Sequence, residues 1–522
     1  MYFVHEFRGT NFCFADLSTI GTAGAVVGGY KIPLNPIALI FFIFIVMIVL
    51  FNISILNINL FHNYHEEVNG INSFNIDLYR FFWHEVGQVL CYFVSFAILR
   101  DKVSSSKFDY SIYAGINEGY YYNFVSSIPI YHRRKIKYED AYVESKFLIF
   151  KTIKKLKKDS SKKQSLEIND FFSKMNGIPV KKATAPHVIV IMNESFGTIN
   201  RYINTDSKIT PFYDNLLGVI KGNLYVNAFG GGTDNTEFEF LTSMSIGNYD
   251  YPVHPYNKFI KKPKYSLAKY FANMGYRTIA MHPNRPSNYN RDNVYRNLGF
   301  EERVFKKGFK TPELIRGMVS DESMYKEIIR RFRSTKANSN KLFLFGVTMQ
   351  NHGGYGRFKD ASVISQLKDG TNAYSVDTYL TLLKRSDNSL RKLINYFEGE
   401  DERVIIVFFG DHNPSFGTNI NKRIYDNNKE YEFSNTYKVP FFIYDNKKKE
   451  DRYIEAISPN FLSIELLKKT NFPNDMLHNI TNELYMKYQA FNFHKMKIVA
   501  TNGYKDIEAK EYITLEREYL NS

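Results

Sequence analysis

A hydroxyl framed by glycines and a scattered set of hard-metal ligands are the residues in this 522-residue chain best suited to chemistry. Gly230-Gly231-Gly232 leads into Thr233, and a helix-like run follows through Glu239. Glycines let a backbone turn tightly and come close to a ligand. A hydroxyl at the mouth of the next helix would sit among free backbone N–H groups, at the positive end of the dipole, where phosphate is favoured. Thr233 is therefore a candidate nucleophile. The plainer reading is a helix cap, with Asp234 and Glu237 at capping-box spacing. Elsewhere, Glu194, Asp411 and His412 supply two carboxylates and an imidazole. With Thr233 as a fourth ligand they make a mixed oxygen and nitrogen donor set for one divalent cation. Such an ion lowers the pKa of a bound hydroxyl, readies it to attack phosphorus or sulfur, and draws charge from a phosphoryl oxygen. A second set is His282, Tyr289, Arg291 and His352. Arg291 can fork two N–H groups onto a phosphate. Tyr289 offers a flat face and a hydroxyl to a small polyol, and His352 is a candidate general acid or base.

These groups need elements to bring them together. After Ala185, short β-branched and aromatic runs alternate with helix-like stretches. The runs are His187–Met192, Tyr276–Met281, Lys341–Val347, Arg403–Phe409 and Val439–Tyr444. Runs without polar alternation are what strands buried on both faces look like. Helical patterns fall at Thr210–Leu217, Ser266–Met274, Met324–Phe332, Tyr374–Phe397 and Pro459–Lys469. The order predicts an α/β fold with a largely parallel, covered central sheet. Four runs end in Glu or His within a few residues: Asn193-Glu194-Ser195, His282-Pro283, Asn351-His352 and Asp411-His412. Ligands of open α/β sheets bind outside the carboxyl ends of strands, so these ends are expected on one edge.

Composition narrows the setting. The formal charge is +15, the basic residues are dispersed, and no nucleic-acid motif is present. That favours an anionic membrane surface or anionic polymer over nucleic acid. Cys13 and Cys91 have no metal spacing and form no disulfide framework. Met1 to Arg8 lacks the order of a signal peptide. Leu34 to Leu60 is free of charge and long enough to span a bilayer, which predicts a membrane region over 1–60 with a transmembrane helix at 34–60. Lys31 and Arg8 before it weakly place the N-terminal side in the cytoplasm and the remainder outside. Residues 61–185 read as an interfacial helix at Val86–Leu99 followed by the basic linker Lys151–Lys163. A catalytic domain is expected over 186–490 and a tail over 491–522.

Taken as an ordered set, these motifs resemble the lipoteichoic acid synthase family, sulfatase-like phosphoglycerol transferases of the alkaline phosphatase superfamily. Asn193-Glu194-Ser195-Phe196 is similar to that family's first metal motif. Gly232-Thr233 with Thr236-Glu237-Phe238 is similar to its nucleophile motif. His282 through Arg291-Asp292, with Tyr295 and Leu298-Gly299-Phe300, resembles its substrate-binding block. Asn351-His352 and Gly410-Asp411-His412 resemble the remaining two motifs. The family commonly has Trp where Tyr289 stands. Phe7-Arg8-Gly9-Thr10 and Gly21-Thr22-Ala23 resemble the stretch before the family's last membrane helix, which implies further spans upstream in the intact protein. The resemblance implies a bacterial cell-membrane enzyme with an extracellular catalytic domain. Its cofactor would be one divalent cation, Mn2+ ahead of Mg2+ or Zn2+. Its donor would be phosphatidylglycerol, and its acceptor a glycolipid, cell-envelope polymer or glycan. The phosphoethanolamine transferases and sulfatases of the same superfamily are the rival enzymes. No Cys or Ser stands in the Cys/Ser-x-Pro-x-Arg motif a sulfatase requires. A membrane-tethered sensor with an inactive site is the non-enzymatic alternative.

Overall fold

Every apolar run named above forms a strand, and the destination of alternate side chains explains why. The computed structural model describes residues 185–246, 254–426, 433–472, 476–488, 490–492, 497–500 and 503–506. The readings at 34–60, Val86–Leu99 and Lys151–Lys163, and most of the 491–522 tail, lie outside the described residues. Among the described residues, no helix is long and apolar enough to cross a membrane.

The central sheet has eight strands: β1 (His187–Asn193), β2 (Val219–Tyr225), β3 (Arg277–His282), β4 (Glu302–Phe305), β5 (Leu342–Val347), β6 (Val404–Gly410), β7 (Lys438–Asp445) and β8 (Arg452–Ile457). Their spatial order is β8-β2-β7-β6-β1-β5-β3-β4. Pairings β6-β1, β1-β5, β5-β3, β3-β4 and β2-β8 are parallel. Only the two pairings of β7 are antiparallel. Among the described residues between β6 and β7 there is no long helix, and the chain returns antiparallel along β6.

The principal helices are α1 (Pro211–Asn215), α2 (Thr233–Thr242), α3 (Leu267–Asn273), α4 (Asp321–Ala337), α5 (Tyr374–Glu398) and α6 (Pro459–Thr470). Val188, Val190 and Met192 of β1 face one core with Phe240 of α2, Phe271 of α3 and Leu466 of α6. Ile189 and Ile191 face the other, with Met324 and Ile328 of α4 and Leu380 and Leu383 of α5. Both faces are dry, so neither set of alternate positions tolerates a polar residue. Each fully buried side chain of this size contributes about 1.5–3 kcal/mol.

Three strands of the central sheet went unread in the sequence. Lys221, Gly222 and Asn223 interrupt the apolar pattern of β2, and β4 and β8 are edge strands rich in charge. Edge strands carry charge because it discourages pairing with another chain. Helices also differ at their ends: α4 begins at Asp321, where Ser320 caps it by accepting the Ser323 N–H at 3.2 Å.

Candidate metal centre and nucleophile

The four motif-bearing strands β6, β1, β5 and β3 are consecutive neighbours and run parallel, so their carboxyl ends share one edge. Beneath that edge lies a buried polar layer. The Asn193 side-chain amide donates to Asp321 Oδ2 at 2.8 Å and to the Tyr325 hydroxyl at 3.1 Å. Asn351 donates to Asn193 Oδ1 at 3.2 Å, and Ser386 of α5 joins Asn351 and Asp321. The layer fixes the ends of β1 and β5 against α4 and α5.

Glu194 follows β1 directly, and its N–H donates to Thr348 Oγ1 at 3.0 Å. Asp411 and His412 follow β6. Gly410 lets the two segments meet: a Cβ there would lie 2.1 Å from the Phe196 carbonyl oxygen. Asp411 Oδ1 accepts from the N–H groups of Ser195 at 2.7 Å and His412 at 2.8 Å. Its Oδ2 has no hydrogen-bond partner. Nδ1 of His412 lies 3.0 Å from the Asn413 carbonyl, which can only accept, so Nδ1 is the donor there and Nε2, without a hydrogen-bond partner, faces the carboxylates. That Nε2 is 3.2 Å from Asp411 Oδ2 and 3.6 Å from Glu194 Oε1.

Ligand atoms of Glu194, Asp411 and His412 lie within 4.8 Å of one another, and all three residues are buried. Ser195 Oγ donates to Glu194 Oε1 at 3.0 Å, but Asp411 Oδ2 and His412 Nε2 have no hydrogen-bond partner. Two carboxylates this close repel one another unless a cation or proton intervenes. Burial, reinforced by the Asp411 carboxylate, pushes the Glu194 carboxyl well above its usual range. The set fits a divalent cation with oxygen and nitrogen ligands.

Thr233 is the first residue of α2 and is buried. Gly232 before it adopts φ +83°, a left-handed conformation that disfavours other residues. No side chain caps α2, so the capping-box reading of Asp234 and Glu237 does not describe this helix. The glycine loop is fastened to the metal-ligand segment: Gly230 N–H donates to the Asn413 carbonyl at 3.0 Å, and Thr236 Oγ1 to the Asp411 carbonyl at 2.8 Å.

The second set is also brought to this edge, with one redirection. His282 ends β3, its Nδ1 3.3 Å from the Val347 carbonyl and its Nε2 3.1 Å from Arg291 Nη1. Burial and the Arg291 charge hold His282 well below the usual imidazole range. The fork of Arg291, read in the sequence as a phosphate clamp, grips Glu237 through Nε and Nη2. Tyr289 and Asn290 have φ of +51° and +56°, and this double left-handed turn sets the Tyr289 ring 5.0 Å from the Arg291 guanidinium and 5.8 Å from the His254 ring. Burial, then the nearby His412, lowers His352 to about 4, so its ring is neutral at pH 7.

Two features escaped the sequence reading. Glu237 is a hub that accepts from the hydroxyls of Tyr256 at 3.0 Å and Tyr295 at 2.7 Å as well as from Arg291. His254 Nδ1 lies 3.2 Å from Asp234 Oδ1, beside the candidate nucleophile. Capping-box spacing masked Glu237, and nothing in the local pattern marks His254.

This architecture and donor set define a sulfatase-type, phosphotransferase-like α/β enzyme. The chain belongs to the sulfatase family, whose model matches residues 186–478. A Rhizobium meliloti (strain 1021) protein named for cyclic beta-1,2-glucan modification is 31% identical over 350 residues, 63% of this chain and 53% of that protein. The lipoteichoic acid synthase of Staphylococcus saprophyticus is 24% identical over 306 residues, 54% of this chain and 45% of that one. The chain thus spans about half the length of these curated relatives. The fold is also that of the Streptococcus pyogenes phosphoglycerol transferase GacH, solved with sn-glycerol-1-phosphate. The TM-score is 0.55 at 22% identity, covering 67% of this chain and 89% of GacH. Listeria monocytogenes LtaP matches with a TM-score of 0.51 at 18% identity, covering 68% and 94%.

Proposed function

We propose that this chain is a membrane-anchored phosphoglycerol transferase. It would move glycerol phosphate from phosphatidylglycerol to a hydroxyl of a glycolipid, cell-envelope polymer or glycan on the outer side of a bacterial membrane. The observation that carries the reading is the convergence of Glu194, Asp411 and His412 ligand atoms within 4.8 Å, on the segment to which the Thr233 loop is fastened. Membership of the sulfatase family supports phosphoester chemistry, and the glucan-modification relative supports a glycan among the acceptors.

Glu194, Asp411, His412 and Thr233 would hold one divalent cation, with Mn2+ favoured over Mg2+ and Zn2+. When bound it supplies Lewis-acid charge for the Thr233 hydroxyl and a phosphoryl oxygen. Thr233 Oγ forms a bond to phosphorus as the bond to the diacylglycerol oxygen breaks. The proton lost by Thr233 balances the one gained by diacylglycerol. In the second half, the acceptor hydroxyl attacks the phosphoglycerol–Thr233 ester and Thr233 regains its proton. His352, neutral at pH 7, is suited to take the proton from that hydroxyl. His282 and Tyr289 would read the donor head group, with Arg291, its fork held by Glu237, steadying both.

Head-group-labelled phosphatidylglycerol, incubated with the full chain and Mn2+, should label the protein at Thr233 and release diacylglycerol. Phosphatidylethanolamine run in parallel distinguishes the donor. Diacylglycerol release at an unchanged rate by Thr233→Ala would defeat the covalent scheme.

A further inference from the structure

A cleft of about 710 Å3 lies between α1 and the outer face of α5, and its lining shares no residue with the triad or with α2. One side is apolar: Phe212, Leu216 and Leu217. Leu217 is 76% exposed. The other side carries Lys384, Arg385 and Arg391. The contacts of these three cations are with neutral groups. Lys384 Nζ donates to Ser207 Oγ at 3.1 Å, Arg391 donates to Asn388 Oδ1 at 2.7 Å, and Arg385 lies 5.4 Å over the Phe358 ring. Among the described residues, none of the three has a carboxylate within ion-pair distance. The one acid in the lining, Asp387, has both oxygens engaged at 2.8 Å by the N–H groups of Phe212 and Tyr213.

Three cations that form no ion pair among the described residues, only Arg391 feeling the Asp387 charge, lie beside partly buried Phe212 and Leu216 and exposed Leu217; this suits an amphiphile with an anionic head. We propose that this cleft binds an anionic phospholipid, its phosphate among Lys384, Arg385 and Arg391 and its acyl chain along Phe212, Leu216 and Leu217. A free phosphate ester would meet the cations and leave the leucines wet. An uncharged lipid would cover the leucines and leave the cations unmatched. Guanidinium groups match phosphate oxygens in pairs, and Lys384 adds a point charge. The proposal does not depend on the transfer reading, because no group of the candidate active site takes part.

The test is the rate at which an amine-reactive ester acylates Lys384, read by mass spectrometry on the full chain in neutral detergent. The chain carries Thr233→Ala so that turnover cannot consume the probe. Exposed Lys326 on α4 is the internal control. Dihexanoyl phosphatidylglycerol, kept below its micelle concentration, should slow acylation of Lys384 about tenfold when present at about ten times its Kd. Dihexanoyl phosphatidylcholine and glycerol phosphate should leave the rate within about twofold under the same conditions. Leu217→Asp and Arg391→Glu, both at exposed positions, should each abolish the protection. No protection by phosphatidylglycerol would overturn the proposal. So would equal protection by glycerol phosphate, which would mark a phosphate site, or by phosphatidylcholine, which would mark an apolar one.

Discussion

Arg291 and Glu237 are ion-paired inside the protein, 1% and 0% exposed. Glu237 lies one helical turn beyond Thr233 on α2, and Arg291 opens the helix that follows the left-handed turn at Tyr289 and Asn290. The pair therefore ties the candidate nucleophile to the wall beside it.

Removing one partner leaves the other charged and buried, at a cost of about 3–5 kcal/mol. Arg291→Met and Glu237→Leu are each expected to lower the unfolding free energy from urea titration by that amount, and the double variant by less than the sum. Glu237→Leu should also reduce transfer, although Glu237 has no ligand role. A double-mutant cycle on unfolding and on diacylglycerol release measures both. Additive losses would show that the two residues do not act as one unit.

Cation binding should depend on the triad and stabilise the fold. Adding Mn2+ at about 100 times its Kd should raise stability by about 2.7 kcal/mol, and a chelator should remove the gain. Asp411→Asn and His412→Ala are each expected to weaken Mn2+ binding by at least about 100-fold. Thermal unfolding with and without the ion reads this independently of any substrate. A full Mn2+ shift in Asp411→Asn would place the ion elsewhere.

Gly410→Ala should act as a ligand mutation without touching a ligand. Its Cβ would meet the Phe196 carbonyl at 2.1 Å, so the segment carrying Glu194 must move away from Asp411. The expected result is lost Mn2+ affinity together with destabilisation of about 1–3 kcal/mol, typical of overpacking. Retained affinity in calorimetric titration would mean that the two segments can separate without opening the site.

Glu239, deeper on α2, predicts a pH dependence of stability. Its Oε1 accepts from the side chains of Asn227 and Ser245 and from the Ile246 N–H, while Oε2 has no hydrogen-bond partner. Burial raises its carboxyl to about 7. The folded protein therefore holds a proton that the unfolded chain releases near pH 4.5. This contribution is fully present below that value and is lost as pH rises through about 7. The change is on the order of 3 kcal/mol for one fully buried group. Urea unfolding between pH 5 and 8 should show the decline in the natural chain and a flatter profile in Glu239→Gln. Equal slopes would show that Glu239 does not carry it.

The strands that build the site were legible because burial on both faces removes polar residues from every position, as in Val188 to Met192. Glu194, Asp411 and His412 were legible because strand ends are where chemistry accumulates in such sheets. The direction of β7 was not, because its apolar run reads the same parallel or antiparallel. The partner of Arg291 was hidden too: Glu237 is 54 residues away, and no periodicity links a buried ion pair. Charged edge strands such as β4 lack the pattern that marks the interior ones.

The position of β1 in the sheet has a consequence for biosynthesis. Val188 pairs with Phe343, 155 residues later, and His187 with Val404, 217 residues later. At about 5 to 20 residues per second, the ribosome needs roughly 10 to 40 s to deliver that second neighbour. For that interval the run Val188-Ile189-Val190-Ile191-Met192 is a sticky, open-edged ribbon awaiting both flanks. Slower growth at low temperature, or a holding chaperone, should therefore raise the soluble yield more than any change made at the catalytic edge.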